Sequence, residues 1–275
     1  RLVNRYDNAE RILKENKSSI NGRKLLETIH FLSEAEVVPS TVKNISKSFV
    51  KSPSDLQKTE KEIITALEIL TEAKVLLDTN NTYRITSDLE QRLLDEMNNF
   101  TVQGFVKKKR IVNAYKVSTS VKSLFSAPDQ NANYIFYVTT DNDDELSSPA
   151  VKQLKIKLKS IYNISDDRAN DIEQLKFQNK DDKDVIWLVP DNNAFKEVDK
   201  CIDDIERISY LEEKYNNPQS DEGQILKSFS TSKAEKENRL KDLVEQSMQR
   251  ATSIYLYNTF QLSKENFTST LQNQQ

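Results

Sequence analysis

The chain has 275 residues, 36% of them hydrophobic, with 40 Lys and Arg against 43 Asp and Glu and a formal net charge of −3. That apolar content supports packed cores, but no apolar run approaches the ~20 residues a membrane-spanning helix needs. The near-balanced charge excludes a global attraction to nucleic acid, so any such contact must be a local patch.

The opening residues, RLVNRYDNAERILKEN, carry no signal-peptide pattern, and the absence of Met at position 1 points to a piece of a longer chain. Residues 1–16 read as a helix with Leu2, Tyr6, Ala9 and Leu13 near one stripe. It either packs on the helices that follow or ends an upstream domain. The second reading is favoured, because the helix starts without a cap.

Gly22 to Thr86 holds the most ordered pattern. Leu25, Leu26, Ile29 and Leu32 mark a first helix, Val42, Ile45 and Phe49 a second, and Ile63, Ile64, Leu67 and Leu70 a third. Ser40 or Thr41 and then Ser52-Pro53-Ser54-Asp55 supply breaks and caps. Val75-Leu76-Leu77 and Tyr83-Arg84-Ile85 flank an Asn-rich turn, a hairpin signal. Three helices followed by a ribbon is the order of a winged helix. Ser87-Asp88 then caps a further helix, Leu89 to about Phe100, with Leu93 and Met97 on its buried side.

From Thr101 to Ala127 the chain holds Lys107, Lys108, Lys109, Arg110, Lys116 and Lys122 and no acid. Such a run can face phosphates, where affinity comes from counterion release, with Phe105 and Tyr115 near enough to stack on bases. It also suits a linker, or an edge strand whose lysines discourage pairing. NYIFYVTT, from Asn133 to Thr140, is a strand, and the acidic run Asp141 to Glu145 lacks the ligand spacing of a calcium loop. Pro149 to Tyr162 reads as a helix starting at Pro149, although its Lys-x-Lys-x-Lys alternation also allows a strand. Asp166 to Phe177 is helical, and Val185 to Val189 is a second strand stopped by Pro190-Asp191. Active sites of α/β sheets often lie at strand C-termini, here Thr139, Thr140 and Asp141 with Pro190, Asp191 and Asn192. No histidine accompanies them. From Ala194 the chain is helical to Asn216-Asn217-Pro218, and a long helix runs from about Asp221 to Phe260. In it Leu240, Leu243, Val244, Ser247, Ala251 and Ile254 approximate a heptad seam, suited to a helical hairpin or a partner-binding coil. The tail, 261–275, reads as a fraying end.

The expected fold is α+β and mainly helical. It comprises a lead-in helix (1–20), a winged-helix domain (21–100), a basic linker (101–128), a small α/β module (129–192) and a C-terminal helical hairpin (193–275). Catalytic chemistry is not expected. The only histidine, His30, reads as a packing residue of a helix, and Cys201, in a helical pattern, has no histidine near it. The three glycines, Gly22, Gly104 and Gly223, are too widely separated for a P-loop or dinucleotide fingerprint. No cofactor or metal is therefore expected. A single cysteine excludes an internal disulfide and fits a cytoplasmic location.

A DNA-reading winged helix places its third helix in the major groove. Here that helix carries Lys58, Lys61 and Lys74 against Glu60, Glu62, Glu68 and Glu72, a poor face for a polyanion. The candidate nucleic-acid contacts are instead Lys43, Lys47, Lys51, Arg84, Lys107, Lys108, Lys109, Arg110 and Lys116.

The third helix from Ala66 to Ala73, the apolar strand ending in Pro190-Asp191 and the helical segment after it together resemble the C-terminal portion of the large P-loop ATPases of bacterial phage-exclusion (BREX) systems, the BrxC/PglY family. The resemblance implies a region downstream of the motor of an ATPase that assembles into a complex acting on phage DNA. The chain departs from the family in having no Walker A sequence, so no ATP-contacting residue carries over. The role expected is a non-catalytic interaction and assembly region that binds other subunits of a defence complex and the DNA backbone, with self-association through the C-terminal helices. The alternative is a transcription regulator binding operator DNA as a dimer.

Overall fold

The computed structural model describes residues 2–35, 38–50, 52–79, 81–123, 126–128, 133–147 and 154–263, which fall into two compact units, 1–99 and 100–275. The fold is α+β and mainly helical. Among the described residues no helix is long and apolar enough to cross a membrane.

Apolar residues at three-to-four spacing build the first unit. Its helices are α1 (Leu2–Glu15), α2 (Gly22–Ala35), α3 (Val42–Lys47), α4 (Leu56–Glu72) and α5 (Asp88–Asn99), with the antiparallel ribbon β1 (Leu76–Thr79) and β2 (Thr82–Ile85) between α4 and α5. Leu25, Leu26, Ile29, Ile45, Ile63, Leu67 and Leu70 are all fully buried. Ile64 is not: it is 40% exposed on the outer side of α4. The lead-in helix also departs from the expectation of an upstream domain's end. Ala9 and Leu13 of α1 are buried in the same core as α2 and α4. The close crossing explains why. A Cβ on Gly22 would sit 2.6 Å from the Ala9 carbonyl, so only glycine allows α2 to start there. The Gly22 N–H, 2.6 Å from Glu10 Oε2, fixes the same junction.

The ribbon is tied to α5 through one carboxylate. Ser87 Oγ accepts from the Glu90 N–H at 3.0 Å while Glu90 Oε2 accepts from the Ser87 N–H at 2.7 Å, a reciprocal capping box. The Arg84 guanidinium from β2 forks onto both oxygens of the same group. Burial raises the Glu90 pKa, but the Arg84 and Ser87 hydrogen bonds outweigh it and hold the carboxyl below its usual 4.5.

The second unit is a six-stranded mixed sheet with helices on both faces. Its strands, in spatial order, are β3 (Ser126–Pro128), β4 (Asn133–Thr140), β5 (Leu154–Leu158), β6 (Val185–Val189), β7 (Thr252–Tyr255) and β8 (Asn258–Gln261). β4, β5 and β6 are parallel, and the remaining neighbours pair antiparallel. Phe136, Val138, Ile156, Leu158, Ile186 and Leu188 share a core with α6 (Gly104–Val117), α9 (Phe195–Lys214) and α10 (Asp221–Gln249). On the other face, Leu175 and the partly buried Ile172 of α8 (Arg168–Gln178) meet Trp187, Val189 and Ile254.

Four expectations change here. The basic segment 101–128 is not a linker. It forms α6, the short α7 (Thr119–Ser123) and β3, and buries Ile111, Val112, Ala114 and Tyr115. Leu154–Leu158 is a strand, as its alternation allows, not part of a helix; the proposed start at Pro149 lies outside the described residues. The last helix ends at Gln249, and β7 and β8 return to the sheet, so 129–192 and 193–275 are parts of one unit. The heptad-like seam faces inward: Leu240, Leu243, Val244 and Ala251 belong to the unit's own core, which removes the expected self-association seam. Most of the expected fraying tail, 264–275, also lies outside the described residues.

The β7–β8 turn explains why the hairpin escaped notice. Leu256 (φ 45°) and Tyr257 (φ 69°) both adopt the left-handed region, where Asn-Gly is the usual signal and side chains such as these are strained. Tyr257 is held by Phe177, edge-to-face at 5.5 Å, and by Lys176 Nζ, 4.9 Å from its ring centre.

Leu256→Asn relieves part of that strain and is expected to stabilise the second unit by about 0.5–1 kcal/mol, read from urea melts followed by the fluorescence of Trp187. Glu90→Gln tests the first unit. The lowered folded pKa makes the Glu90 contribution complete above the usual carboxylate range and lost as pH falls through the folded value. The variant should therefore be less stable than the parent at neutral pH and lose less stability on acidification below 4.5, measured by circular-dichroism melts across that range.

Candidate nucleic-acid interface

Helix α6 sorts its cations by side. At 3.6 residues per turn, Lys107, Arg110 and Ala114 fall on one side, and Phe105, Lys108, Lys109 and Lys116 on the other. Val112 lies between the outward residues as a nearly buried base, 9% exposed.

The inner side is tied to the α9–α10 hairpin. Lys107 Nζ donates to Asp199 Oδ1 at 2.9 Å and lies 2.7 Å from Asp203 Oδ1. Burial alone would lower the Lys107 pKa; the Asp203 and Asp199 carboxylates outweigh it and hold the ammonium above its usual range. Tyr162 also donates to Asp199 at 2.8 Å. Arg110 Nε donates to Glu206 at 2.5 Å, and Arg110 Nη1 lies 3.7 Å from Glu237 of α10. At the α6–α7 junction, Glu245 of α10 accepts from Ser118 Oγ at 2.7 Å and from the Ser120 N–H at 3.1 Å. Tyr115, expected to stack on bases, is fully buried, and its hydroxyl accepts from the Ile161 N–H at 3.1 Å. It is a core residue.

The outward residues on either side of Val112 are exposed. Lys108, Lys109 and Lys116 are exposed, Phe105 is 72% exposed, and a Cβ on Gly104 would meet nothing within 4 Å. Of the six cations in the run singled out in the sequence, Lys108, Lys109, Lys116 and, on α7, Lys122 are exposed, and Lys107 and Arg110 serve the fold.

The candidates in the first unit divide in the same way. Lys43 and Lys47 are exposed on α3. Arg84 is engaged by Glu90, as described above. Lys51 lies outside the described residues. On α4 the exposed residues change along the helix. Gln57, Lys58, Lys61 and Thr65 occupy the first part of the outer side, and Glu68 and Glu72 the last. A whole-helix charge count misses that order. Elsewhere in this unit Phe31 is 71% exposed, and Val38, 40% exposed, lines a groove with Leu32, Pro39, Thr82 and Arg84.

One cationic cluster went unmarked in the sequence. Lys155 and Lys157 of β5 lie over the Tyr137 and Trp187 rings, at 5.4 and 5.5 Å from the ring centres, and both approach Asp143. The Lys-x-Lys-x-Lys alternation was its signal, since a strand sends alternate residues to one face. At the strand C-termini the polar groups bind one another. Asp141 accepts from the Ser160 N–H at 3.1 Å and from Asn163 Nδ2 at 3.0 Å, and Arg168 Nε donates to the Pro190 carbonyl at 2.9 Å. No group of acids, histidines or cysteines suited to a metal occurs among the described residues. Cys201 is buried in α9, and burial raises its thiol pKa.

Compared with protein-family models, curated proteins and solved structures, the chain finds no match in any of the three.

Lys107→Met leaves Asp199 and Asp203 facing each other without their shared cation. The expected cost is about 1–3 kcal/mol. Lys108→Met on the outer side should change stability by less than about 0.5 kcal/mol. Urea melts of both variants followed by Trp187 fluorescence check the contrast.

Proposed function

We propose that this chain is a non-catalytic interaction and assembly region of a multidomain ATPase of the phage-defence kind, binding partner proteins through its first unit and nucleic acid through exposed lysines. The observation that carries the nucleic-acid part is the division of α6, where Lys107 and Arg110 are neutralised by neighbouring acids while Lys108, Lys109 and Lys116 remain exposed. A polyanion is the chemical complement of such a side. Lys43 and Lys47 add a second exposed pair on α3. In this reading the first unit is a winged helix, supported by the order of α2, α3, α4 and the β1–β2 ribbon. The exposed Val38 in its groove and the exposed Phe31 on α2 favour a protein neighbour for this unit. The resemblance to BREX ATPases supplies the cellular setting, a cytoplasmic complex acting on phage DNA, and places the motor outside this chain.

One observation favours a second reading. The exposed polar residues of the first part of α4, beside the exposed Ile64, are Gln57, Lys58, Lys61 and Thr65, types that suit base edges and phosphates. A transcription regulator would use them in a major groove, as helix-turn-helix proteins use the N-terminal part of their second helix.

Gel shifts at low and high salt decide between these readings. Under the first, the chain binds nucleic acid of any sequence, and Lys108→Ala/Lys109→Ala/Lys116→Ala flattens the salt dependence by a slope of about 2–3. Under the second, one short duplex sequence is preferred by on the order of 10³-fold or more over bulk DNA, and Lys58→Ala/Lys61→Ala abolishes the preference. Absence of any shift at low salt ends the nucleic-acid role altogether.

A further inference from the structure

From the outward side of α6 we infer that the nucleic acid it takes is single-stranded, with Phe105 as the stacking platform for an unpaired base. This rests on the nucleic-acid role proposed above and narrows it to a substrate class. Phe105 is 72% exposed, in the same row as Lys108, Lys109 and Lys116. The row from 105 to 116 spans ~16 Å along the helix. The inward cations of α6 are occupied by Asp199, Asp203 and Glu206, so the outward lysines are those left to meet phosphate.

The aromatic decides between strands. A duplex offers this side of a helix a phosphate backbone and keeps its base faces stacked inside. A ring face carries partial negative charge, so phosphate oxygens are poor neighbours for it. An unpaired base presents its own π-face, and stacking on an aromatic side chain tolerates any sequence. A cationic row with one large exposed ring at its start therefore complements a flexible strand, whose phosphates meet the lysines while a base turns onto Phe105. Tyr115 contributes nothing, because it is buried in the core.

The test uses the full chain, a labelled oligothymidine and a labelled duplex of mixed sequence, with fluorescence anisotropy at low and high salt. The expected result is tighter binding of oligothymidine than of duplex. Phe105→Ala should weaken the oligothymidine roughly tenfold without altering the salt slope, and Phe105→Trp should retain the affinity. Lys108→Ala/Lys109→Ala/Lys116→Ala should instead flatten the slope. Unchanged Trp187 fluorescence in each variant confirms that the second unit remains folded. If duplex binds as tightly as oligothymidine, or Phe105→Ala binds like the parent, the single-strand assignment is overturned while the nucleic-acid role stands. If neither probe binds at low salt, both fail.

Discussion

The inward face of the three parallel strands is the constraint on which the second unit depends. Phe136 and Val138, Ile156 and Leu158, and Ile186 and Leu188 must all be kept from water, and each buried aliphatic or aromatic side chain contributes on the order of 1.5–3 kcal/mol. No single helix covers three strands. α9 and α10 cover part, packed as an antiparallel pair and bound by Lys236–Asp204 and Lys233–Glu212, each 2.7 Å. α6 joins them through Ile111, Val112, Ala114 and Tyr115. Once α6 is fixed there, its cations have no freedom of assignment. Those turned toward α9 meet acids, and the others face water.

That partition links folding to the proposed binding role. A run of positive charge in a loop could place all its cations on one ligand. Wound into a helix with one buried side, the same run loses Lys107 and Arg110 to the fold and presents a narrower row. The same principle operates in the first unit, where Arg84 closes the ribbon onto α5 through Glu90 rather than extending to a partner. Cations near the core are captured because a half-buried carboxylate needs them; cations beyond reach of such groups stay exposed.

Much of the helical layout was legible because period-3.6 patterns with caps are local signals. α2 and α4 followed from Leu25, Leu26 and Ile29 and from Ile63, Leu67 and Leu70, and the β1–β2 hairpin from its Asn-rich turn. β4 and β6 showed as short runs rich in β-branched and aromatic residues. The failures have physical causes. β5 carries lysines on the strand positions opposite its core face, and such alternation mixes with helical spacing over so short a span. The basic run lacks acids, which suggested solvent exposure, yet its acidic partners come from α9 and α10, about a hundred residues away in sequence. β7 and β8 were hidden by a turn with Leu256 and Tyr257 where small or amide residues are usual.

The sequence by itself determined the α+β class, the order of most helices, the spacing that forbids glycine-rich phosphate loops, and the pool of lysines from which an interface could be drawn. Only the tertiary structure decided that two units replace five segments, that the C-terminal seam serves its own sheet, and which lysines remain exposed. The reason is that periodicity specifies that a face is buried but not what buries it. Partner identity is settled by long-range packing, where Asp199 and Asp203 reach Lys107 and none of the described acids pairs with Lys108 or Lys109.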